Sequence, residues 1–380
     1  MQALRTTLLT GPYDWDPDLL PRRAFEARVD AVRAVLAAEN AAGLIVHGNS
    51  GDYGALAYLT AFVPKLGPSL AFMPREGALR VLTEGTDLML PWAKRLTWVE
   101  DVRTLANVAV IADEWLREIA PQGNVTLATW GGGAMPHIIA SGIARAVAAA
   151  KGKIVAMDGP LDAVRRRKSP LERRLMGDAA AILDRVVAAF LAAAKQGNGN
   201  RSAALAAERA AYAAGAQDVR VAASLHPGGP PLPIDGGEDL PLDPLLADIA
   251  VQWSGYWAEG LVTATSRPGP ALARTEAALA ATLDSARARD TGAALLQAAI
   301  AALAPCVPHA LMQGGIGNAI GLSLEEGRLG AADKLTEGGV YVLRVGAQGD
   351  AADAAGVSAM IAIDGAVAEI LWRTPGSATA

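Results

Sequence analysis

The chain has little sulfur or imidazole chemistry to draw on: one cysteine, Cys306, and four histidines in 380 residues. A single cysteine excludes an intrachain disulfide framework and a thiolate zinc site, and it fits a reducing, cytoplasmic setting. Charge of one sign is also missing. Lys and Arg number 34 against 39 Asp and Glu, a formal net charge of −5 without long runs, which argues against a nucleic-acid footprint and a polybasic membrane surface. Long apolar runs are absent too. The Ala-rich stretch Val187 to Lys195 meets charge well before membrane-spanning length, and Met1 to Leu20, with Asp14, Asp16 and Asp18, lacks the apolar centre of a signal peptide. Apolar surface, by contrast, is plentiful: 52% hydrophobic residues supply one or two substantial cores and exclude a mostly disordered chain.

Helical spacing over Phe25 to Glu39 leads through Ala42-Gly43 into a strand-type run, Leu44 to His47. Ser69 to Met73 and Leu79 to Thr83 flank a proline–glycine turn at Pro74 to Gly77. Val108 to Ile119 and Ala134 to Ala150 read as helices, Val125 to Thr129 and Lys153 to Met157 as strands, so residues 1–164 are expected to form an α/β domain. The boundary falls at Arg165 to Lys168, read as a solvated linker face, where Ser169 caps a helix that has Pro170 at its first position and Glu172 in its first turn. That helix runs from Leu171 to Lys195, and Arg201 to Ala214 forms the next. Asp218 to Asp243, dense in proline and glycine, is expected to be mostly loop. Strand-like runs at Leu245 to Trp253 and Tyr256 to Thr263 follow around Ser254-Gly255, then a helical stretch Thr275 to Ala304. Strands return at Val340 to Val345, Val357 to Ile363 and Val367 to Trp372. Helices followed by antiparallel strands, twice over, describe an α+β domain of two similar halves across residues 165–380.

Five segments in order resemble one family. Tyr58-Leu59-Thr60-Ala61-Phe62 resembles the YLTGF-type segment of the creatinase, aminopeptidase P and prolidase family, and Arg167 to Glu172 resembles its RxxKSPxE motif. Gly255-Tyr256-Trp257-Ala258-Glu259 resembles GYxxD, Gly317 to Glu326 resembles GHGIGLxxHE, and Leu335 to Gly346 resembles LxxGMxxxxEPG. The resemblance implies a small N-terminal α/β domain and an α+β pita-bread C-terminal domain with pseudo-twofold halves, in a homodimer whose partner helps to close the site. Peptidases of that family hold two divalent metals with two Asp, one His and two Glu, four carboxylates neutralising two hard cations around a bridging hydroxide.

Carried over position by position, the two Asp fall on Asp248 and Glu259, the His on Asn318, and the two Glu on Arg344 and about Met360. No histidine follows His309 and no glutamate lies between Gly338 and Ala368, so a shift of alignment does not restore the set. Arg344 puts a fixed positive charge where a dication would sit, and a salt bridge from it to Asp248 or Glu259 would compensate those acids. No metal and no other cofactor is expected. The substrate histidine of the family falls near Pro231, Glu325 replaces the second histidine of GHGIGLxxHE, and Val262 replaces an arginine before the retained Thr263.

The residues left to carry chemistry are Glu259, the adjacent acids Glu325 and Glu326, and His226 as a displaced base near neutral pH. Asp248, Asn318, Arg344 and Trp257 are the expected binding set, with Trp253 and Trp257 taken to share one strand face. The plain alternatives are an exposed loop histidine at His226, ion pairs of Glu325 or Glu326 with Arg328 or Arg344, and core packing of the tryptophans. His309 reads as structural, and neither His47 nor His137 receives a catalytic role. The expected function is a metal-independent hydrolase of a small amide, amidine or related C–N substrate, because the glycine frame and the acids Asp248, Glu259 and Glu326 are retained; the alternative is a non-catalytic relative binding a small ligand, a partner protein or an active paralogue, and a metallopeptidase with altered ligands comes last.

Overall fold

The computed structural model describes residues 14–234, 237–350, 352–365 and 367–376. Of the Met1 to Leu20 segment, residues 1–13 lie outside the described residues. The chain divides into two compact units, with the division between Arg165 and Arg166.

The first unit runs through α1 (Arg22–Ala38), β1 (Gly43–Gly48), α2 (Gly54–Thr60), β2 (Ser69–Pro74), β3 (Arg80–Thr83) and α3 (Leu90–Arg95). It continues with β4 (Asp101–Thr104), α4 (Val108–Ile119), β5 (Thr126–Trp130), α5 (His137–Ala149), β6 (Lys153–Ala156) and α6 (Asp158–Arg166). The strands form one mixed sheet in the order β4-β3-β2-β1-β5-β6. Gly77, at φ +109°, lets the chain reverse between β2 and β3. Ile45, Leu70, Phe72 and Leu82 on one face pack against Trp115 and Leu116 of α4 and Ile139 and Ile143 of α5. The rings of Phe72 and Trp115 lie 4.8 Å apart.

The second unit repeats one plan. A helix pair, α7 (Pro170–Lys195) and α8 (Asn200–Ala213), precedes β7 (Asp218–Ala223), β8 (Leu232–Pro233), β9 (Leu245–Trp253) and β10 (Tyr256–Ala264). Another pair, α9 (Pro270–Ser285) and α10 (Gly292–Leu303), precedes β11 (Val307–Pro308), β12 (Gly317–Ala319), β13 (Val340–Gln348), β14 (Ala354–Asp364) and β15 (Val367–Arg373). The sheets run β10-β9-β7-β8 and β11-β13-β14-β15, with β12 also on β13. Serine and threonine side chains stitch the halves together: Leu261 N donates to Ser358 Oγ at 2.7 Å, and Thr263 Oγ1 donates to Gly356 O at 2.8 Å. Alternation along β13 then sorts its side chains. Tyr341, Leu343 and Val345 join Leu279 and Leu295 in the core under α9 and α10, leaving Val342 and Arg344 on the opposite face.

The start of α7 is fixed by a reciprocal capping box, Ser169 with Glu172, and the buried Glu172 also accepts from Tyr256 Oη at 3.1 Å. Ser254 and Gly255 both take positive φ, 48° and 83°, which suits the tight hairpin between β9 and β10.

Asp218 to Asp243 is mostly loop, as expected, with strand β7 in its first six residues, which carry neither proline nor glycine and find β9 as a ladder partner. Two expectations need correction. The Thr275 to Ala304 stretch is two helices, interrupted where Arg289 adopts φ +78° and Thr291 accepts from Ala294 N to cap the second. The helix α6 runs through Arg165 and Arg166 where a linker was expected, and Arg165 and Lys168 are buried. No helix among the described residues is long and apolar enough to cross a membrane.

Gly260 offers a test of this packing. A methyl there would lie 2.3 Å from the Trp372 ring, whose Nε1 donates to Asp184 at 2.6 Å. Gly260→Ala is expected to destabilise the second unit by about 1–3 kcal/mol in urea unfolding; a midpoint equal to the parent's would contradict the packing.

Candidate functional site

Strand register alone gathers the site. Glu259 lies opposite Ala250 in the β9–β10 ladder and Asp248 opposite Leu261, so two-residue periodicity places Asp248, Trp257 and Glu259 on one face. Across β12, β13 and β14, Asn318 pairs with Val342, Arg344 with Ser358, and Val342 with Met360, which puts Asn318, Arg344, Ser358 and Met360 on one face of their sheet.

Arg344 connects the two sets. Its Nη2 donates to Glu259 Oε1, its Nη1 donates to Asn318 Oδ1 at 2.6 Å, and its Nε lies 3.5 Å from Asp248 Oδ2. Three nitrogens of one planar fork thus face three different side chains, a geometry that the single ammonium of lysine does not reproduce. Asn318 is fixed for this by its other end, where Nδ2 donates to the carbonyls of Ala319 and Leu324, each at 3.1 Å. The side chains of Arg344 and Glu259 are 19% and 6% exposed and that of Asp248 30%, so solvent reaches the cluster from the Asp248 side.

Electrostatics strain the cluster. Two like charges about 4 Å apart repel by about 4 kcal/mol at an effective dielectric of 20. Burial, and then the negative charge of Asp248, push the Glu259 carboxyl up from 4.5 to about 8, although its contact with Arg344 pulls the other way. The Arg344 guanidinium is held above its ordinary value: burial opposes this, and the charges of Glu259 and Asp248 outweigh it. Glu259 Oε2 and Arg344 Nε are buried without a hydrogen-bond partner.

The other candidates do not join this group. Glu326 is enclosed, its Oε2 accepting from Lys168 Nζ at 2.6 Å and its Oε1 from Leu322 N at 3.0 Å, with both side chains of the ion pair 2% exposed or less. The expected partners, Arg328 and Arg344, were the wrong ones, because Lys168 lies 158 residues away in sequence and only the fold brings it there. Glu325 is half exposed and pairs with Arg328 at 3.2 Å. His226 sits on the exposed loop after β7, its ring over Gly229, and no hydrogen bond or ion pair joins it to Arg344, Asp248 or Glu259. His309 is buried and structural, accepting from Leu311 N and bonded to the Gly228 carbonyl at 2.9 Å. Trp257 is buried, with the Arg220 guanidinium 4.8 Å from its ring centre, a cation–π contact unmarked in the sequence. Trp253 does not share its face: it pairs with Tyr256, whose hydroxyl reaches Glu172 on the helix side.

Arg344→Met would leave two carboxylates without their cation. The expected loss is on the order of 3 kcal/mol at pH 8.5 and less at pH 5, where Glu259 takes a proton, with partial recovery on adding Glu259→Gln. In the parent protein the raised pKa has a definite sign. Glu259 contributes stability that is full below pH 4.5 and lost as pH rises through about 8, so Glu259→Gln should gain on the parent between pH 5 and 8.5. Urea midpoints at the two pH values check both statements; pH-independent differences would contradict them.

No protein family model matches the sequence, and no curated protein matches it. Solved structures do. The prolidase from Pyrococcus horikoshii OT3 superposes with a TM-score of 0.73 and 16% identity, covering 92% of this chain and 99% of that one. The X-Pro aminopeptidase from Thermotoga maritima MSB8 gives 0.74 and 17%, covering 92% and 98%. The N-terminal domain of FACT complex subunit SPT16 from Cicer arietinum (chickpea) gives 0.67 and 14%, covering 92% and 96%. Identities of this size speak for shared architecture and leave activity open. The mixed-sheet first unit, the duplicated helix-and-sheet second unit and these superpositions together identify the creatinase/prolidase-like pita-bread fold.

Proposed function

We infer that this protein is a non-peptidase user of the pita-bread fold: a metal-independent, non-catalytic binding protein that takes a small ligand or a partner protein, works as a homodimer and resides in the cytoplasm. The observation that carries the reading is the engagement of Asp248, Glu259 and Asn318 by one guanidinium. Chemistry needs a base or nucleophile that is free to act, and the candidate acids here are committed elsewhere: Glu326 to Lys168, Glu325 to Arg328, Asp248 and Glu259 to Arg344.

The donor set does not fit a pair of divalent cations. Two carboxylates with a guanidinium between them supply too little negative charge, the Asn318 oxygen is turned to that guanidinium, and Met360 offers buried apolar surface. Among the described residues no group of three or more His, Cys, Asp or Glu is placed to hold a metal. The surviving glycine frame does not argue for retained chemistry either. A methyl at Gly317 would lie 1.9 Å from the Val342 carbonyl, and one at Gly321 would meet Glu326 and Lys168 at 2.6 Å, so packing alone keeps both glycines.

One observation favours the hydrolase reading as a second choice. Glu259 is buried, its carboxyl is pushed up to about 8 and one of its oxygens has no hydrogen-bond partner, properties that suit a group exchanging protons with a ligand. Incubation of the protein with Xaa-Pro dipeptides and small amides separates the two. The binding reading expects no turnover above buffer; turnover that disappears in Glu259→Gln would overturn it in favour of the hydrolase.

A further inference from the structure

The first unit carries a cleft of its own, of about 510 Å³, which takes no part in the Arg344 cluster. Its apolar wall includes Trp115 and Ile119, and its polar lining includes Arg75, Arg80, Asp101 and Glu118. The volume lies in the range of small-molecule sites. Arg80 is the unusual member.

Arg80 is only 8% exposed, and its guanidinium is unevenly used. Nε donates to Asp101 Oδ2 at 2.7 Å, Nη2 reaches Glu118 Oε2 at 3.4 Å, and Nη1 has no partner. Asp101 is well satisfied, since Arg103 also holds it through Nε at 2.7 Å and Nη2 at 3.0 Å. Glu118 is the weak leg, with its side chain 57% exposed and its contact near the limit of a hydrogen bond. The Nη1–Nη2 edge of a buried arginine is therefore held by one long contact that solvent can replace. Buried polar groups left in this way call for a missing partner.

We propose that this cleft binds a small organic carboxylate, whose two oxygens take the Nη1–Nη2 edge of Arg80 while Glu118 swings into solvent and the apolar body of the ligand lies along Ile119 and Trp115. A planar carboxylate matches the guanidinium edge with two parallel hydrogen bonds, the strongest pairing open to it. The charge of the lining selects a monoanion. Arg75 and Arg80 are set against Glu76, Asp101 and Glu118, so a dianion such as phosphate would meet a surplus of negative charge that one carboxylate, replacing Glu118, leaves unchanged. Arg75, exposed on the rim, adds a second positive group.

The test is calorimetric titration of the full chain with hexanoate and benzoate, beside hexanamide and inorganic phosphate. Both acids should bind, and neither the amide nor phosphate should. Glu118→Gln removes the competing carboxylate from an exposed position and should tighten acid binding about two- to fivefold, the scale of one exposed ion pair. Arg80→Lys keeps the charge, loses the fork and should abolish binding; Arg103 still compensates Asp101, and a circular dichroism spectrum reports whether the fold is kept. The proposal is overturned by failure of both acids to bind even Glu118→Gln, by equal binding of hexanamide or phosphate, or by undiminished binding to a folded Arg80→Lys.

Discussion

Two carboxylates placed by strand register on one face of β9 and β10 set the terms for everything around them. Burial and the charge of Asp248 hold the Glu259 carboxyl up at about 8 even beside a cation, since desolvation and mutual repulsion both work against a second negative charge. Arg344 supplies that cation from the other half of the duplicated unit, and Asn318 steadies it. Breaking the pair is expected to cost more than the pair contributes to folding, because the penalty lies in the orphaned charge. The cluster is thus held in place by what its removal would leave behind.

The glycines and acids between Gly317 and Glu326 answer to similar constraints of space and charge. Gly317 is small because the Val342 carbonyl passes close by, and Gly321 because a buried Lys168–Glu326 pair fills the space beside it. Glu326 in turn neutralises the buried ammonium of Lys168. Packing and charge compensation are sufficient to account for this frame.

Much of the architecture was legible in the residues. The capping signal at Ser169-Pro170-Leu171-Glu172, the turn at Ser254-Gly255 and the apolar alternation around Arg344 are local, and local signals survive in one sequence. Arg344 stood out as the one charge in the run Val340 to Ala347, so its pairing with Asp248 or Glu259 was an available inference. The misses share a cause. Lys168 with Glu326, Arg220 over Trp257 and the opposite faces of Trp253 and Trp257 depend on register or on chain segments far apart in sequence. Strand β7 was hidden by the prolines that follow it, and the break between α9 and α10 by a run of helix-forming alanines on both sides.

We propose that a guanidinium occupies the place between Asp248 and Glu259 where the motif resemblance implies a pair of metal ions. The most direct measurement is a crystal structure of the protein grown in manganese chloride, with anomalous diffraction recorded to locate the metal. The account predicts Arg344 in density against Asp248, Glu259 and Asn318, with no anomalous peak between the carboxylates. A manganese peak there, with Arg344 swung aside, would contradict it.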